Sequence, residues 1–342
     1  MKHLITGGAG FLGHLIARRL SEQGEDVRIL DVVEPEQPSS DMEFIHGRVQ
    51  DSHVVARAMK GIEMVHHNAA LVPLTKSGKK FWEVNVTGSE IVAREAVRAG
   101  VRHFVHMSSS AVYGKPLHVP ITTETPTRPV EIYGRAKLAG EQAVQTICQD
   151  AGLPSVMIRP RTILGQSRMG IFHLVFDWIH RGKKIYLIGD GSQHFQFVHA
   201  NDLIDAYLLI VQHQKTGIFN VGTDQFGTLR EALERVIQFA HSPSRIVALP
   251  PRLTIATLQA LDILRISPLA PWHYLTSHVP FYFDVSPLLA LGWKPRYSND
   301  EMFQESYEWF LQHPEGEHSS GEASAHRRPV QEQILKILKK FS

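Results

Sequence analysis

The sequence predicts an α/β fold: a doubly wound parallel sheet with helices on both faces, followed by a smaller mixed α/β substrate-binding domain. Three observations predict it. A glycine-rich turn sits between a short apolar strand and an amphipathic helix at the very start of the chain. Apolar, β-rich runs then alternate with helical patterns up to about residue 160. Beyond that point the pattern loosens and fills with proline and aromatic residues, as at Pro250-Pro251, Pro271-Trp272 and Pro280-Phe281-Tyr282.

The first strand runs from Lys2 to Ile5, and the turn reads Thr6-Gly7-Gly8-Ala9-Gly10-Phe11-Leu12-Gly13. Leu12, Ile16, Ala17 and Leu20 recur at the spacing of a helix with one buried face. Gly7 permits a turn too tight for a Cβ, Gly10 lets backbone approach a pyrophosphate, and Gly13 lets the helix lie against the sheet. Phe11 and Leu12 open that helix, where unpaired amides face the phosphates. The unit is a dinucleotide cradle of the Rossmann type. A second strand, Val27 to Leu30, ends at Asp31, whose carboxylate accepts hydrogen bonds from ribose hydroxyls and repels a 2′-phosphate, so NAD is favoured over NADP.

Further strands are expected at Phe44-Ile45, Met64 to His66, His103 to Met107 and Val156 to Ile158. A helix from Lys80 to Ala99, stopped by Gly100, separates the fourth and fifth strands. Ligands in such sheets bind at the carboxyl ends of strands, where Gly7, Asp31, Asn68 and Ser108 fall. Later helices are read at Phe172 to Arg181, Asn201 to His213 and Leu229 to Ala240. The resulting division is 1–160 for an NAD-binding domain, 161–312 mainly for substrate binding, 313–328 for a flexible linker and 329–342 for a basic amphipathic tail helix. In that tail Val330, Ile334, Leu335, Ile337, Leu338 and Phe341 form an apolar stripe, while Arg327, Arg328, Lys336, Lys339 and Lys340 supply a basic face. Such a helix packs on the protein or on a second subunit, or touches an anionic membrane surface.

The 342 residues suffice for a large buried core, and a hydrophobic content of 43% with 20% charged residues describes a soluble globular protein. A formal charge of +2 lacks the basic bias of a general nucleic-acid binder. No apolar run approaches the roughly eighteen residues that span a bilayer. The first strand starts at Lys2, leaving no room for a signal peptide, and the single cysteine, Cys148, forbids an internal disulfide. Both features predict a cytoplasmic protein. Cys148 has no partner in its helical pattern and is read as inert. The 20 histidines suggest no metal site. His66 and His67 are adjacent in a strand, which sends their rings to opposite faces, and His194 and His199 have no cysteine or paired carboxylate beside them.

The second informative cluster, Met107-Ser108-Ser109-Ser110-Ala111-Val112-Tyr113-Gly114, closes the fifth strand, and Tyr133-Gly134-Arg135-Ala136-Lys137 follows it. Tyr133 and Lys137 are four apart, which on a helix places both side chains on one face. A phenol with an ordinary pKa near 10 is a poor base at neutral pH. An ammonium fixed beside it, with the positive nicotinamide of oxidised cofactor, stabilises the phenolate; bringing it to about 7 takes ~4 kcal/mol. Tyr133 then takes a hydroxyl proton as hydride leaves the same carbon, and Ser109 holds that oxygen by hydrogen bonding.

At this point the chain resembles the extended short-chain dehydrogenase/reductase superfamily, in its NAD-dependent epimerase/dehydratase branch, over roughly residues 1 to 312. The resemblance is carried by Thr6 to Gly13, Asp31, Gly47 to Asp51, His67 to Ala70, Asn85 to Gly88, Ser108 to Gly114, Tyr133 to Lys137, Ile158 to Pro160, Gly189 to Gly191 and Leu291 to Pro295. It implies that Ser109, rather than its neighbours, is the catalytic serine, and that Lys137 also binds the nicotinamide ribose. It further implies that Asp51 meets the adenine, Ala69 lines the cofactor, Pro160 opens the segment beside the nicotinamide and Asn85 shapes its helix. A homodimer formed by two long helices, Lys80 to Ala99 and Tyr133 to Asp150, is implied as well.

Two departures from the family pattern narrow the chemistry. Sugar-nucleotide 4,6-dehydratases resemble this chain but carry an Asp-Glu pair after the catalytic hydroxyl to eliminate water; here those places are Ser110 and Ala111. Epimerisation or simple oxidation and reduction therefore fits better than dehydration. Many relatives also grip a substrate diphosphate with an arginine after Gly-Asp-Gly and another before the final aspartate. This chain reads Ser192-Gln193-His194-Phe195-Gln196-Phe197 and Phe281-Tyr282-Phe283-Asp284 there, which leaves Arg161, Arg168 and Arg181 as candidate replacements. The leading expectation is an NAD-dependent sugar-nucleotide epimerase. The alternative is an NAD-dependent dehydrogenase or ketoreductase of a less charged, lipid- or steroid-like alcohol, suggested by the lost arginines and the aromatic second domain. A non-enzymatic NAD-sensing scaffold is disfavoured, because Tyr133 and Lys137 are both retained.

Overall fold

The computed structural model describes residues 1–35, 41–72, 78–166, 168–264, 267, 269 and 271–313. Up to Pro160 strands and helices alternate: β1 (Lys2–Thr6), α1 (Phe11–Glu22), β2 (Asp26–Asp31), β3 (Met42–His46), α2 (Ser52–Ala58), β4 (Met64–His67), α3 (Lys80–Trp82), α4 (Ser89–Ala99), β5 (His103–Met107), α5 (Ile132–Asp150) and β6 (Ser155–Pro160). There follow β7 (Ile163–Leu164), α6 (Phe172–His180), β8 (Ile185–Ile188), β9 (Val198–His199), α7 (Ala200–Gln212), β10 (Gly217–Val221) and α8 (Leu229–Phe239). The last elements are β11 (Ile246–Leu249), α9 (Pro251–Ile263), α10 (Pro271–Thr276), α11 (Ser286–Ala290) and α12 (Asn299–Gln312). The expected linker, apart from His313 at the end of α12, and the expected tail helix lie outside the described residues. Among the described residues no helix is long and apolar enough to cross a membrane.

Seven parallel strands form the central sheet in the order β10-β6-β5-β4-β1-β2-β3. A strand covered on both faces needs apolar side chains at successive positions, and β1 supplies them. Leu4 enters the cluster with Val55, Val92 and Ala96, while Ile5 enters the cluster with Ile16, Ala17 and Tyr207 on the other side. The strand order reverses between β1 and β4, so the carboxyl ends of these strands open a crevice there. The stretch after residue 160 contributes to this layer too. Its strand β10 pairs with β6, and α7 lies against α1, where Arg19 Nη2 donates to Asp205 Oδ1 at 2.7 Å. The remainder builds a second lobe whose core is aromatic: Phe172, Phe176, Phe197 and Phe303 meet edge to face, and Phe310 lies tilted against Phe176.

The helix expected from Lys80 to Ala99 is interrupted by a π-helical turn over Glu83–Gly88. Asn85 explains the interruption. Its Oδ1 accepts from the Leu71 amide at 2.8 Å and its Nδ2 donates to the Leu71 carbonyl at 3.1 Å, so the residue turns inward to hold the segment after β4. A one-residue insertion of this kind leaves the apolar periodicity nearly intact, which is why the pattern reads as one helix. Gly100, at φ 68°, ends α4 in the left-handed conformation. Helices α9 to α12 lie in the proline-rich stretch and were not among the helices expected; Pro251 opens α9, where its missing N–H costs nothing.

His66 and His67 do send their rings to opposite faces of the sheet. His66 Nε2 hydrogen-bonds His3 Nδ1 at 2.8 Å and its Nδ1 hydrogen-bonds the Tyr207 hydroxyl at 2.7 Å. His67 hydrogen-bonds Thr6 Oγ1 at 2.7 Å and Ser89 Oγ at 2.8 Å. Among the described residues neither ring nitrogen of His106 has a hydrogen-bond partner. Burial holds all three well below the ordinary histidine range, His67 at about 3. The unfolded chain takes up these protons near pH 6.5 and the folded chain does not, so stability must fall as the pH drops below 6.5. Between pH 7 and pH 5 each such histidine costs about 2 kcal/mol. Urea unfolding should show that loss, and His106→Leu should remove about one histidine's share of it; equal losses in the variant and the parent would contradict this account.

Candidate active site

The glycine turn packs too tightly for side chains at three positions, and at Gly8 a Cβ would lie 2.7 Å from the Ile29 side chain. Gly7 has φ +70°, and a Cβ on it would lie 2.7 Å from the Ala69 backbone; a Cβ on Gly13 would lie 2.1 Å from the Gly7 carbonyl oxygen. Gly10 has an ordinary φ of −75° and serves as N-cap of α1 without a side-chain hydrogen bond, so side chains leave the first amides of the helix clear. That arrangement fits the pyrophosphate of a dinucleotide. Asp31 sits beside it at the end of β2. Its Oδ2 accepts from the Ala9 amide at 2.9 Å, and its Oδ1 accepts from Val32 at 2.7 Å and Val33 at 3.3 Å. Burial raises its pKa, and these amides pull it back. Ala69 donates its N–H to Thr6 Oγ1 at 3.3 Å, which holds the end of β4 against the turn. Asp51 lies farther out, where its Oδ1 caps α2 by accepting from His53 and Val54.

Ser109 leaves β5 in extended conformation and caps a 3-10 turn, Ser110–Tyr113, its Oγ accepting from the Ala111 amide at 3.2 Å. Tyr133 and Lys137 lie one turn apart on α5, both buried, and Ser109 is close enough to the Tyr133 hydroxyl to pull its pKa down. The structure therefore brings together the three residues singled out for catalysis. Lys137, however, donates from Nζ to the Met107 carbonyl at 2.6 Å. Burial pushes the Tyr133 phenol up to about 12, against the pull of Ser109 and of a different cation, Arg168. Burial likewise brings Lys137 down to about 8, with Glu141 opposing. The expected acidification by Lys137 is not found in the protein itself: desolvation dominates, and Arg168 rather than Lys137 is the cation that pulls on the phenol. Pro160 ends β6 across the crevice, paired with Val221.

Several residues of the site are invisible to pattern reading. Glu131 caps α5, accepting from the Tyr133 and Gly134 amides at 2.6 Å each, and so fixes the helix start beside the phenol. Glutamate is an uncommon N-cap, and no pattern announces it. Glu141 receives Arg159 through both carboxylate oxygens and also the Ser108 hydroxyl. Arg159 Nη1 donates to the Tyr113 hydroxyl at 2.7 Å, which donates in turn to Asn220 Oδ1 at 2.9 Å. One signal was available: Tyr133, Lys137 and Glu141 recur every fourth residue, which puts a carboxylate on the buried face of α5.

The three candidate arginines differ sharply. Arg161 is 1% exposed, packed 4.0 Å over the Phe281 ring and 4.8 Å over Phe195, with Nη1 donating to Ser110 Oγ at 3.2 Å. Arg181 pairs with Asp177 on the surface of α6. Arg168 lies 5.5 Å over the Phe11 ring, at the junction of the glycine turn and Tyr133.

Removing either partner of the buried Arg159 and Glu141 pair strands a charge, which typically costs 3–5 kcal/mol. Glu141→Ala should therefore lower the unfolding free energy by roughly that amount in denaturant titrations, and a loss under about 1 kcal/mol would refute the pair's structural role. Gly13→Ala should leave far-UV circular dichroism unchanged while weakening NAD binding at least roughly tenfold by calorimetry, because the Cβ displaces the Gly7 carbonyl.

Comparison with known proteins agrees with this geometry. The model of the NAD dependent epimerase/dehydratase family matches residues 3–222. The uncharacterized protein y4nG of Sinorhizobium fredii is 40% identical over 336 residues, 98% of this chain and 85% of its own. The UDP-glucose 4-epimerase of Lactobacillus helveticus is 27% identical, covering 92% of this chain and 99% of its own. Among solved structures, the UDP-glucose 4-epimerase of Thermotoga maritima with UDP-glucose superposes with a TM-score of 0.74 at 23% identity, over 92% of this chain and all of that one. The chain belongs to the NAD-dependent epimerase/dehydratase family and is an NAD-dependent enzyme.

Proposed function

We propose that this enzyme is a sugar-nucleotide epimerase that inverts a ring carbinol. The observation that carries the reading is the convergence of Ser109, Tyr133 and Lys137 at a strand end whose next positions, Ser110 and Ala111, offer no carboxylate for eliminating water. Two of the relatives described above are UDP-glucose 4-epimerases, which supports a nucleotide-linked sugar as substrate.

NAD, when bound, accepts hydride from the substrate carbon and returns it. The turn from Gly7 to Gly13 would hold its phosphates at Phe11 and Leu12, Asp31 its adenosine ribose, Asp51 its adenine, and Ala69, Lys137 and Pro160 its nicotinamide side. Ser109 orients the substrate hydroxyl. Tyr133 takes that proton as the carbon becomes a ketone and gives it back to the inverted alcohol. Lys137, held by the Met107 carbonyl, would orient the ribose, while Arg168 would offset the charge of the phenolate. Of the candidate diphosphate cations, Arg168 is the one placed to serve, since Arg161 is enclosed by phenyl rings and Arg181 is paired with Asp177. The paired helices α4 and α5 form the surface through which two copies would join as a homodimer.

Incubation with UDP-glucose, UDP-glucuronic acid and UDP-N-acetylglucosamine, followed by NMR, should yield a C4 epimer without added NADH and without net absorbance change at 340 nm. Stoichiometric cofactor reduction without an epimer would overturn the reading in favour of a dehydrogenase. Tyr133→Phe should lower turnover roughly 100- to 10,000-fold while NAD binding survives. Arg168→Met should raise KM for the sugar nucleotide about tenfold or more, the worth of a charge-assisted hydrogen bond.

A further inference from the structure

We propose that residues 329–342 of this chain dock as a helix along α9 and cover its outer face. Helix α9 has no buried residue. Leu253, Ile263 and Leu264 are 68%, 82% and 66% exposed, and Ala256 and Ala260 are exposed between them. At 100° per residue these five fall within a sector of about 100°, in the middle of the exposed side, with Arg252, Gln259 and Thr257 only at its edges. A surface helix normally reverses this order and gives its middle to charge. The stripe is laid out as a helix-pairing seam, with steps of three, four and three from Leu253 through Ala256 and Ala260 to Ile263.

The occupant is argued from the rest of the sequence. Val330, Ile334, Ile337 and Phe341 follow steps of four, three and four, the complementary seam. Both seams span eleven steps from first to last apolar residue, Leu253 to Leu264 and Val330 to Phe341, so both are ~16 Å long. Their centres are complementary in size: Ala256 and Ala260 leave shallow places where Ile334 and Ile337 insert. The reach suffices. Seventeen steps separate His313, where the described chain ends, from Val330, enough for about 55 Å of extended backbone. A folded body of this size is about 50 Å across. A second copy is a poorer occupant, because α9 against α9 sets alanine on alanine and leaves the seam hollow. An anionic membrane is poorer too, because Arg252 is the one basic residue on α9. In the docked arrangement Lys336, Lys339 and Lys340 remain in water.

Disulfide trapping in the full-length protein tests the proposal, since Cys148 is buried and leaves introduced thiols as the reactive ones. Ala260→Cys combined with Ile334→Cys reports an antiparallel pairing, and combined with Ile337→Cys a parallel one. One of the two pairs should close within the monomer under mild oxidation. Deleting residues 329–342, or the single change Ala260→Arg, should speed amide exchange of α9 about tenfold or more without changing NAD binding. Absence of both crosslinks with unchanged exchange would overturn the proposal. So would crosslinks found only between two chains, which assign the seam to a second copy, or flotation with phosphatidylserine vesicles that Leu253→Ser abolishes, which assigns it to a membrane.

Discussion

The buried ion pair between Arg159 and Glu141 is the interaction on which the catalytic arrangement rests. The two side chains are 4% and 1% exposed, and between them they reach the serine-rich end of β5 through Ser108, strand β10 through Tyr113 and Asn220, and helix α5 itself. A charge in such a place is tolerable only with its partner and with every remaining lone pair engaged, so the network admits one arrangement of strand end against helix. Ser109 follows Ser108, and Tyr133 and Lys137 precede Glu141 on its face of α5. Their meeting is the geometric by-product of that fixed arrangement.

The same burial that orders the site works against its acid–base chemistry. Desolvation raises the Tyr133 phenol and lowers the Lys137 ammonium, which moves both away from the ionised pair that proton transfer from an alcohol requires. Glu131, needed to start α5 beside the tyrosine, adds a negative charge that opposes the phenolate further. The surrounding protein therefore leaves the phenol protonated and supplies one positive group, Arg168, to offset the penalty. Phenolate formation is thereby coupled to whatever other positive charge enters the crevice, and a base that becomes active only with its reactants assembled is protected from idle exchange with water.

Most of the fold was legible because its signals are local. The glycine turn, the alternation of strand and helix and the acidic residue closing β2 each act within a few residues, and six strands of the sheet follow from them; β10, which joins from beyond residue 160, does not. Ser109, Tyr133 and Lys137 were legible for the same reason, a strand end and a four-residue helical spacing. What escaped depends on contacts between distant segments. Asn85 bonds back to Leu71 and opens a π-turn within a helix whose apolar period hardly changes. Glu141 finds Arg159, and Arg168 finds Tyr133, only after β6 has been laid beside β5. Helices α9 to α11 escaped because proline marks both loops and helix starts, and the order of the surrounding residues does not decide between them; α12 was missed although Ser298 and Glu301 form a capping box at its start.

Asp31 carries two duties with one carboxylate. In the proposed cofactor complex it would meet the adenosine ribose, and through the Ala9 amide it also braces the glycine turn. On that proposal, discrimination between the two nicotinamide coenzymes and rigidity of the anion nest would be inseparable at this position. Retuning coenzyme choice by replacing Asp31 with a neutral or cationic side chain would unfasten the nest at the same stroke, so a switch of preference has to begin with a new acceptor for Ala9.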